Sequence, residues 1–572
     1  MKTMRKLFAT LLTVIMSFTL AVSAFAAPGD YTITITNSDS LSSAGHIYKA
    51  YQIFDGDLDS TGAILSNITW GENMTANSAE FLAALKTEPA FNVGGVNIFA
   101  AATTAADVAS VLAKPEHHTS AIVKAFAKHA TAKVSGSAIG DTTGDLEAPY
   151  EITIPADKAG YYLVTDTLND PTKPNQDISD FILQVVADVT VEHKGSIPTV
   201  DKKVSETGST FGDYIATGIG DVHTYRIMAE LPDDYYLYTT YELIFTDTMS
   251  AGLTYDPVPT TEVPVPLEVR AIIRSSGTTL TIDPSCYTTT PVVSTEGATL
   301  TVDFDNLKNI TSSGAAVTLS ADDAVEVVYK VKLNKNAVNE SGEGAVNTVK
   351  LEYSNNPNSD GTGHSSDDST EVFPINLEIV KVDGKATTTP LAGAEFILMR
   401  DHSTGLETHK EYAVVTGDIL EKWVHHYEGD DCATGDTNHA DAVAAGDLAT
   451  VIVTDATGKI LVKGLDAGKF YLREITAPDG YNKLVEDIII TTDVTFDSTN
   501  GVLAGMTGTT SQGTISFKPT ESKATITVPN FKGDVLPSTG GVGTTLFYLA
   551  GGALVLGAVV MMVTKKRMGD EE

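Results

Sequence analysis

Along most of the chain, apolar and polar residues alternate with a period of two, the mark of strands that bury one face. Tyr31-Thr-Ile-Thr-Ile-Thr is a clear case. Residues 28–195 add strands at YEITI (150–154), YYLVTD (161–166) and FILQVVADVTVE (181–192). The same region holds two runs of helical spacing, SAEFLAALK (78–86) and 104–130, and so reads as a β domain with a helical insertion. Residues 196–372 offer only short strands, among them VDKKV, HTYRIMAEL, YELIFTDT, LEVRAIIR, AVEVVYKVKL and NTVKLEYS, separated by turn residues. That spacing predicts a two-sheet sandwich. An Asn/Ser/Asp/Gly-rich stretch, 355–370, reads as a loop. Residues 373–532 start again with INLEIVKVD and AEFILMR, pass through a long polar insertion (401–449), and return with VIVTD, ILVKGL, FYLREIT, DIIIT and ATITVPNF. The expected fold is mainly β, in tandem β-sandwich domains.

The two ends break this pattern. Lys2, Arg5 and Lys6 precede an apolar run from Leu7 to Val22, and Ala24-Phe25-Ala26 follows as a small-x-small cleavage site. Residues 1–27 thus read as a secretory signal peptide, cut after Ala26 or Ala27. At the other end Thr544–Val563 forms an apolar run of about 20 residues, the length of a membrane-spanning helix. Lys565, Lys566 and Arg567 follow it and keep that end cytoplasmic, which leaves the body of the protein outside the cell.

Composition narrows the function. The 572 residues carry 74 acids against 38 bases, a net charge of −36, which argues against nucleic acid as a partner. Only two cysteines occur, Cys286 and Cys432, in different predicted domains, so they either stay free or join domains. An exported chain of this length without a disulfide framework has room for another kind of staple. Asp55, Asp57 and Asp59 resemble the start of a calcium loop, but Ser60 replaces the turn glycine and Ser66 the closing glutamate. The pairs His117-His118 and His425-His426 lack metal-ligand spacing and read as surface histidines, so no metal or other cofactor is expected. No phosphate loop, dinucleotide fingerprint or nucleophile elbow is present.

Strand parity brings out candidate chemistry. In TVDKKV, Val200, Lys202 and Val204 share a face while Lys203 points the other way. Leu243, Phe245 and Asp247 share one face, and Ala345, Asn347, Val349, Leu351 and Tyr353 another. Residues 373–532 repeat the set: Lys381 lies with Leu377 and Ile379, Glu474 with Phe470 and Leu472, Asn530 with Ile526 and Val528. In both domains the lysine is on the first strand, the asparagine on the last and the acid between. Burial pushes a lysine's pKa down and a carboxylic acid's up. A neutral lysine is a nucleophile, and a protonated acid can polarise an amide and shuttle protons. The expected product is a Lys–Asn isopeptide bond with loss of ammonia; a buried ion pair with an amide neighbour is the alternative. In the first domain GYYLVTD (160–166) places Thr165 where Glu474 stands in FYLRE, and the last strand has no asparagine, so no such bond is expected there.

Leu536-Pro537-Ser538-Thr539-Gly540, the membrane span and the basic tail together resemble the sortase sorting signal of Gram-positive surface proteins. FYLREITAPDGY (470–481) resembles the E box of pilins. The chain is similar to the major, or backbone, pilins of sortase-assembled Gram-positive pili. That resemblance implies isopeptide-forming immunoglobulin-like domains of the collagen-binding-protein A and B types. Their boundaries here would be 28–195, 196–372 and 373–532, with the sorting signal at 533–572. It implies bonds Lys202–Asn347 assisted by Asp247, and Lys381–Asn530 assisted by Glu474. It also implies that a pilin-specific sortase cuts between Thr539 and Gly540 and joins Thr539 to Lys194 of the next subunit. In VEHK (191–194) the lysine of the family's Val-Tyr-Pro-Lys pattern is kept and Tyr-Pro is replaced. A housekeeping sortase would attach the base to peptidoglycan. The implied partners are these sortases, other pilin subunits, the cell wall and a host or surface ligand of unknown identity. The implied role is structural and adhesive, not enzymatic. A monomeric wall-anchored adhesin or a minor pilin would share most of these features.

Overall fold

The structure, a computed structural model, describes residues 29–568 apart from 38–44, 60–61, 63, 143–146, 194, 257, 259–266, 339–343, 358–360, 405–406, 426–447, 498–502 and 533–541. The signal-peptide segment, Lys194, Cys432 and the Leu536–Gly540 motif lie outside the described residues. The chain forms two compact units. One comprises 1–215, 221–337 and 344–372; the other comprises 216–220, 338–343 and 373–572.

The first unit contains three separate apolar cores. Strand Tyr31–Asn37 lies between an antiparallel strand, Tyr150–Ile154, and a parallel one, Val189–His193. A second sheet pairs His46–Leu58 with Gly160–Leu168, and the latter with Phe181–Val185. Ile33, Ile35, Tyr48, Tyr150, Tyr162 and Val185 fill one core. The other core places three helices over Phe54 and Leu163 through Phe81, Val108 and Phe126. The helical run expected over 104–130 is two helices, Ala105–Leu112 and Ser120–Thr131, because Pro115 stops the first and opens a short 3₁₀ turn. Thr104 and Asp107 form a reciprocal capping box at the start of the first. His117, expected at the surface, is buried, and its Nδ1 bonds the Val111 carbonyl near that helix's end at 2.7 Å. The single strand expected over 181–192 is two, Phe181–Val185 and Val189–His193.

The third core lies between two sheets. One contains Thr199–Ser205, Val222–Glu230, Ala324–Leu333 and Leu267–Ile273; the other contains Ala345–Ser354, Leu243–Ser250 and Gly297–Phe304. Strict alternation of buried and half-buried residues along Val222–Glu230 and Gly297–Phe304 matches the period read from the sequence. The 355–370 stretch is not all loop, since Thr362–His364 pairs with 352–354 and Asp368–Phe373 pairs with 345–349.

In the second unit the first strand, Ile375–Asp383, runs parallel to the last, Lys523–Asn530, and antiparallel to Lys459–Leu465. Glu395–Thr404 pairs with Lys469–Thr476, which pairs with Ile488–Phe496. Much of the expected polar insertion 401–449 is strand: Glu395–Thr404, Glu407–Thr416 and Ile419–Val424 form a meander. Its polar residues include Glu411, buried and paired with Arg400 at 2.9 Å, so a high polar content concealed strands that pack on both faces. A helix runs from Val542 to Met568. Among the residues whose side chains are described, no helix is long and apolar enough to cross a membrane.

Candidate functional site: two buried Lys–acid–Asn clusters

Lys202 sits on the edge strand Thr199–Ser205, where Val204 and the partner strand draw its face into the core. Asp247 and Asn347 come from paired strands of the opposite sheet, with Met249 opposite Asn347 and Asp247 opposite Val349. Lys202 and Asn347 are fully buried and Asp247 is 1% exposed. The Lys202 ammonium is ion-paired with Asp247 across the space between the sheets. Tyr329, from Ala324–Leu333, joins all three: its hydroxyl accepts from Lys202 Nζ (2.7 Å) and from Asn347 Nδ2 (2.9 Å) and donates to Asp247 Oδ2 (2.6 Å). The rings of Tyr225 and Tyr329 each lie 5.4 Å from Lys202 Nζ. Burial pushes the Lys202 pKa below its ordinary value, against the pull of Asp247. Burial also pushes the Tyr329 phenol well up, so it stays a donor. Lys203, one residue on, faces out and pairs with Asp201 and Asp213 at 2.5 and 2.7 Å.

In the second unit the geometry is within one sheet. Lys381 lies opposite Val528, and Asp383 opposite Asn530, so the lysine and the asparagine are diagonal neighbours on one face of a parallel pair. Lys381 Nζ donates to Asn530 Oδ1 at 2.6 Å and meets Glu474 Oε1 at 2.9 Å. Asn530 Nδ2 donates to Glu474 at 3.0 Å. The backbone N–H of Leu484 donates to Glu474 Oε2 at 2.7 Å and fixes the carboxyl. The Phe396 ring is 5.1 Å from the ammonium. Burial holds the Lys381 pKa below the usual lysine value, with Glu474 opposing.

The structure thus brings together both sets of residues expected from strand parity. What parity did not single out is Tyr329. It alternates with Val327 and Val331 on a buried face, and so looks in sequence like one more core residue. Its polar role depends on what the opposite sheet puts in front of it. In the first domain the acid of the GYYLVTD strand is one place beyond the expected Thr165: Asp166 is buried, and Thr165 faces partly outward. Cys286 is free and half-buried, and its Sγ accepts from the Thr311 N–H at 3.2 Å. The side chains of Asp55, Asp57 and Asp59 serve local turns and Asn67, bonding the Gly56 and Ile64 N–H groups and the Asn67 amide.

Each cluster can do one thing chemically. Lysine, carboxyl and asparagine are gathered away from water: Lys381 Nζ touches the Asn530 carbonyl oxygen directly, whereas Lys202 and Asn347 meet through the Tyr329 hydroxyl. Burial favours the neutral amine, the form that can displace ammonia from an amide. Removing any one partner would leave a buried polar group unpaired, at a cost of roughly 3–5 kcal/mol for a charge.

Comparison with known proteins adds two matched families. A family of prealbumin-like fold domains matches residues 375–504, and the LPXTG cell wall anchor motif matches residues 529–568. The trypsin-resistant surface T6 protein of Streptococcus pyogenes serotype M6 is 23% identical over 437 residues, 65% of this chain and 70% of that protein. Among solved structures, the T6 backbone pilin of the same serotype aligns over 89% of this chain and 100% of its own at 16% identity, TM-score 0.44. The full-length major pilin SpaD of Corynebacterium diphtheriae aligns over 90% and 99% at 16% identity, TM-score 0.40.

Proposed function

We infer that this chain is a major pilin: the shaft subunit of a covalently assembled, cell-wall-anchored pilus on a Gram-positive surface. It is a structural protein and a substrate of sortase, not an enzyme. The observation that carries the reading is the coincidence of a cell-wall anchor motif at 529–568 with β domains that bury lysine, acid and asparagine together. In one domain they tie the first strand to the last, and in the other they tie opposite sheets. The prealbumin-like match and the T6 relative support it.

The proposed internal chemistry uses these clusters. The neutral Lys202 Nζ attacks the Asn347 side-chain carbonyl carbon, and the C–N bond to the amide nitrogen breaks. Asp247 takes the proton from the attacking amine and returns it to the leaving nitrogen, which departs as ammonia. Lys381, Asn530 and Glu474 act in the same roles. The products are secondary amides within 196–372 and 373–532, which we take as domains beside 28–195. Load entering at one strand then leaves through the bond instead of unravelling the fold.

Between subunits, sortase breaks the Thr539–Gly540 peptide bond to form an acyl-enzyme. The Lys194 amine of the next subunit takes the Thr539 carbonyl. Lys194 directly follows the strand Val189–His193, at the end of the first domain. A pilin-specific sortase extends the polymer, and a housekeeping sortase transfers its base to peptidoglycan. Accessory pilins and a host ligand complete the partners.

The test is Lys194→Ala in cells that assemble the surface polymer. Loss of high-molecular-weight ladders on denaturing gels, with monomer still wall-attached, is the expected result. Unchanged ladders reject Lys194. A wild type without ladders makes the chain a monomeric wall-anchored protein.

A further inference from the structure

The first domain shares the framework of the third but fills it with different chemistry. In both, the first strand runs parallel to the last. Lys381 and Asp383 stand opposite Val528 and Asn530; Ile35 and Asn37 stand opposite Val191 and His193. In both, an antiparallel pair carries the acid. Phe396 stands opposite Glu474, and Tyr48 opposite Asp166. Residue by residue, Ile35 takes the place of the lysine, His193 that of the asparagine, and Asp166 that of the glutamate. His46, two residues before Tyr48 on the same face, adds a second imidazole where the third domain has Ala394. Ile35 is fully buried and apolar, so no amine faces this cluster from the first strand.

His46, Asp166 and His193 have side chains with no exposure at all. His46 Nδ1 is 2.9 Å from Asp166 Oδ1, and His193 Nδ1 is 3.6 Å from Asp166 Oδ2. The three ligand-type atoms lie within 4.8 Å of one another. Two donors each about 2.0–2.1 Å from a tetrahedral zinc stand roughly 3.3 Å apart, so small rotations of these rings suffice to admit an ion. The Tyr48 hydroxyl borders the same cluster, 3.0 Å from His193 Nδ1. Behind His193 sits a carboxylate with no other evident task. Asp177 is 1% exposed, and neither of its oxygens has a hydrogen-bond partner. A Cβ added to Gly195 would meet His193 Nε2 at 2.5 Å and Asp177 Oδ2 at 2.6 Å, so glycine is required beside these two groups. His193 Nε2 is likewise buried without a hydrogen-bond partner, and a carboxylate that bonds the far nitrogen of a ligating imidazole would fix its tautomer and raise its basicity.

We propose that His46, Asp166 and His193 bind one divalent transition metal of the zinc class, and that this ion staples the first domain where the third carries its lysine–asparagine pair. Imidazole and carboxylate donors suit zinc over calcium or magnesium, which take oxygen ligands only. The ion would tie His46–Leu58, Gly160–Leu168 and the last strand, Val189–His193, together just before the residue proposed to join subunits. Because the site is closed to solvent, it loads as the exported chain folds.

The experiment uses the full chain purified in detergent, with metal per chain read by mass spectrometry of the elements and melting read by calorimetry. His402 and His409 lie with Glu411 in a second, more exposed group, so a His402→Ser/His409→Ser variant serves as the control. Expected are one zinc per chain, retained by the control and lost in His193→Gln and Asp166→Asn, with affinity reduced at least ~100-fold. Stripping the zinc should lower one melting transition, and zinc alone should restore it. Zinc content unchanged in His193→Gln, or lost in the control, overturns the proposal. Should the variants fail to fold, stripped wild-type chain decides: zinc that leaves every transition unmoved overturns it as well.

Discussion

Replacing Glu474 with alanine should leave the third domain without its covalent tie. Glu474 touches both Lys381 and the Asn530 amide, and it alone among the described residues offers a carboxyl to that pair. Lys381 and Asn530 are 149 residues apart in sequence. A cross-link closing a loop of that length removes unfolded-chain entropy equivalent to about 5 kcal/mol at 25 °C. For a domain of roughly 150 residues each kcal/mol moves the melting point by about 2–4 °C, so the domain should melt some 10–20 °C lower. Part of any drop comes from leaving Lys381 buried beside no acid, at about 3–5 kcal/mol. Asn530→Ala separates the two effects, because it removes the electrophile and keeps the ion pair. Intact mass is the direct assay. The wild-type ectodomain should weigh less than its sequence by two molecules of ammonia, and either variant by one. A wild-type mass equal to the sequence refutes the bonds. A Glu474→Ala mass still short by two ammonias refutes the role of the acid.

Tyr329→Phe should slow bond formation in the middle domain about 10–100-fold, equivalent to ~1.4–2.7 kcal/mol; a mass time course after refolding that matches wild type would dismiss the phenol. Lys202→Ala should remove one ammonia loss, whereas Lys203→Ala should keep both losses and cost under about 1 kcal/mol, as a half-exposed ion pair does; the reverse pattern would overturn the assignment of faces. His223 is 1% exposed, and burial pushes its pKa down to about 4. From its ordinary 6.5 downward, the unfolded chain gains a proton that the folded chain refuses. Stability should therefore fall as pH drops from 6.5 to 4, by up to about 3 kcal/mol, and be complete above 6.5. His223→Gln should flatten that part of the profile of unfolding midpoint against pH, and a slope unchanged in the variant would reject His223 as its source.

Strand parity is a local property, so the sequence by itself determined which side chains turn inward. Lys202 was separable from Lys203, and Asp247, Asn347, Lys381, Glu474 and Asn530 were each assignable to an apolar face. Polar segments such as Glu407–Thr416, where even Glu411 is buried, hid their strands under a polar composition. Tertiary structure alone decided what each inward face meets. Tyr329 became a partner of Asp247 and Asn347 because strands from opposite sheets stack across one core. Asp177 and His193 both border Gly195 only because the chain from 177 to 195 folds back on itself. His46, Asp166 and His193 are separated by 120 and 27 residues (166 − 46 and 193 − 166), yet share one closed cluster. No short-range pattern carries that information, since it resides in the register of the Tyr48–Asp166 and Asn37–His193 pairs. A shift of one residue in either would turn the histidine or the acid out to water.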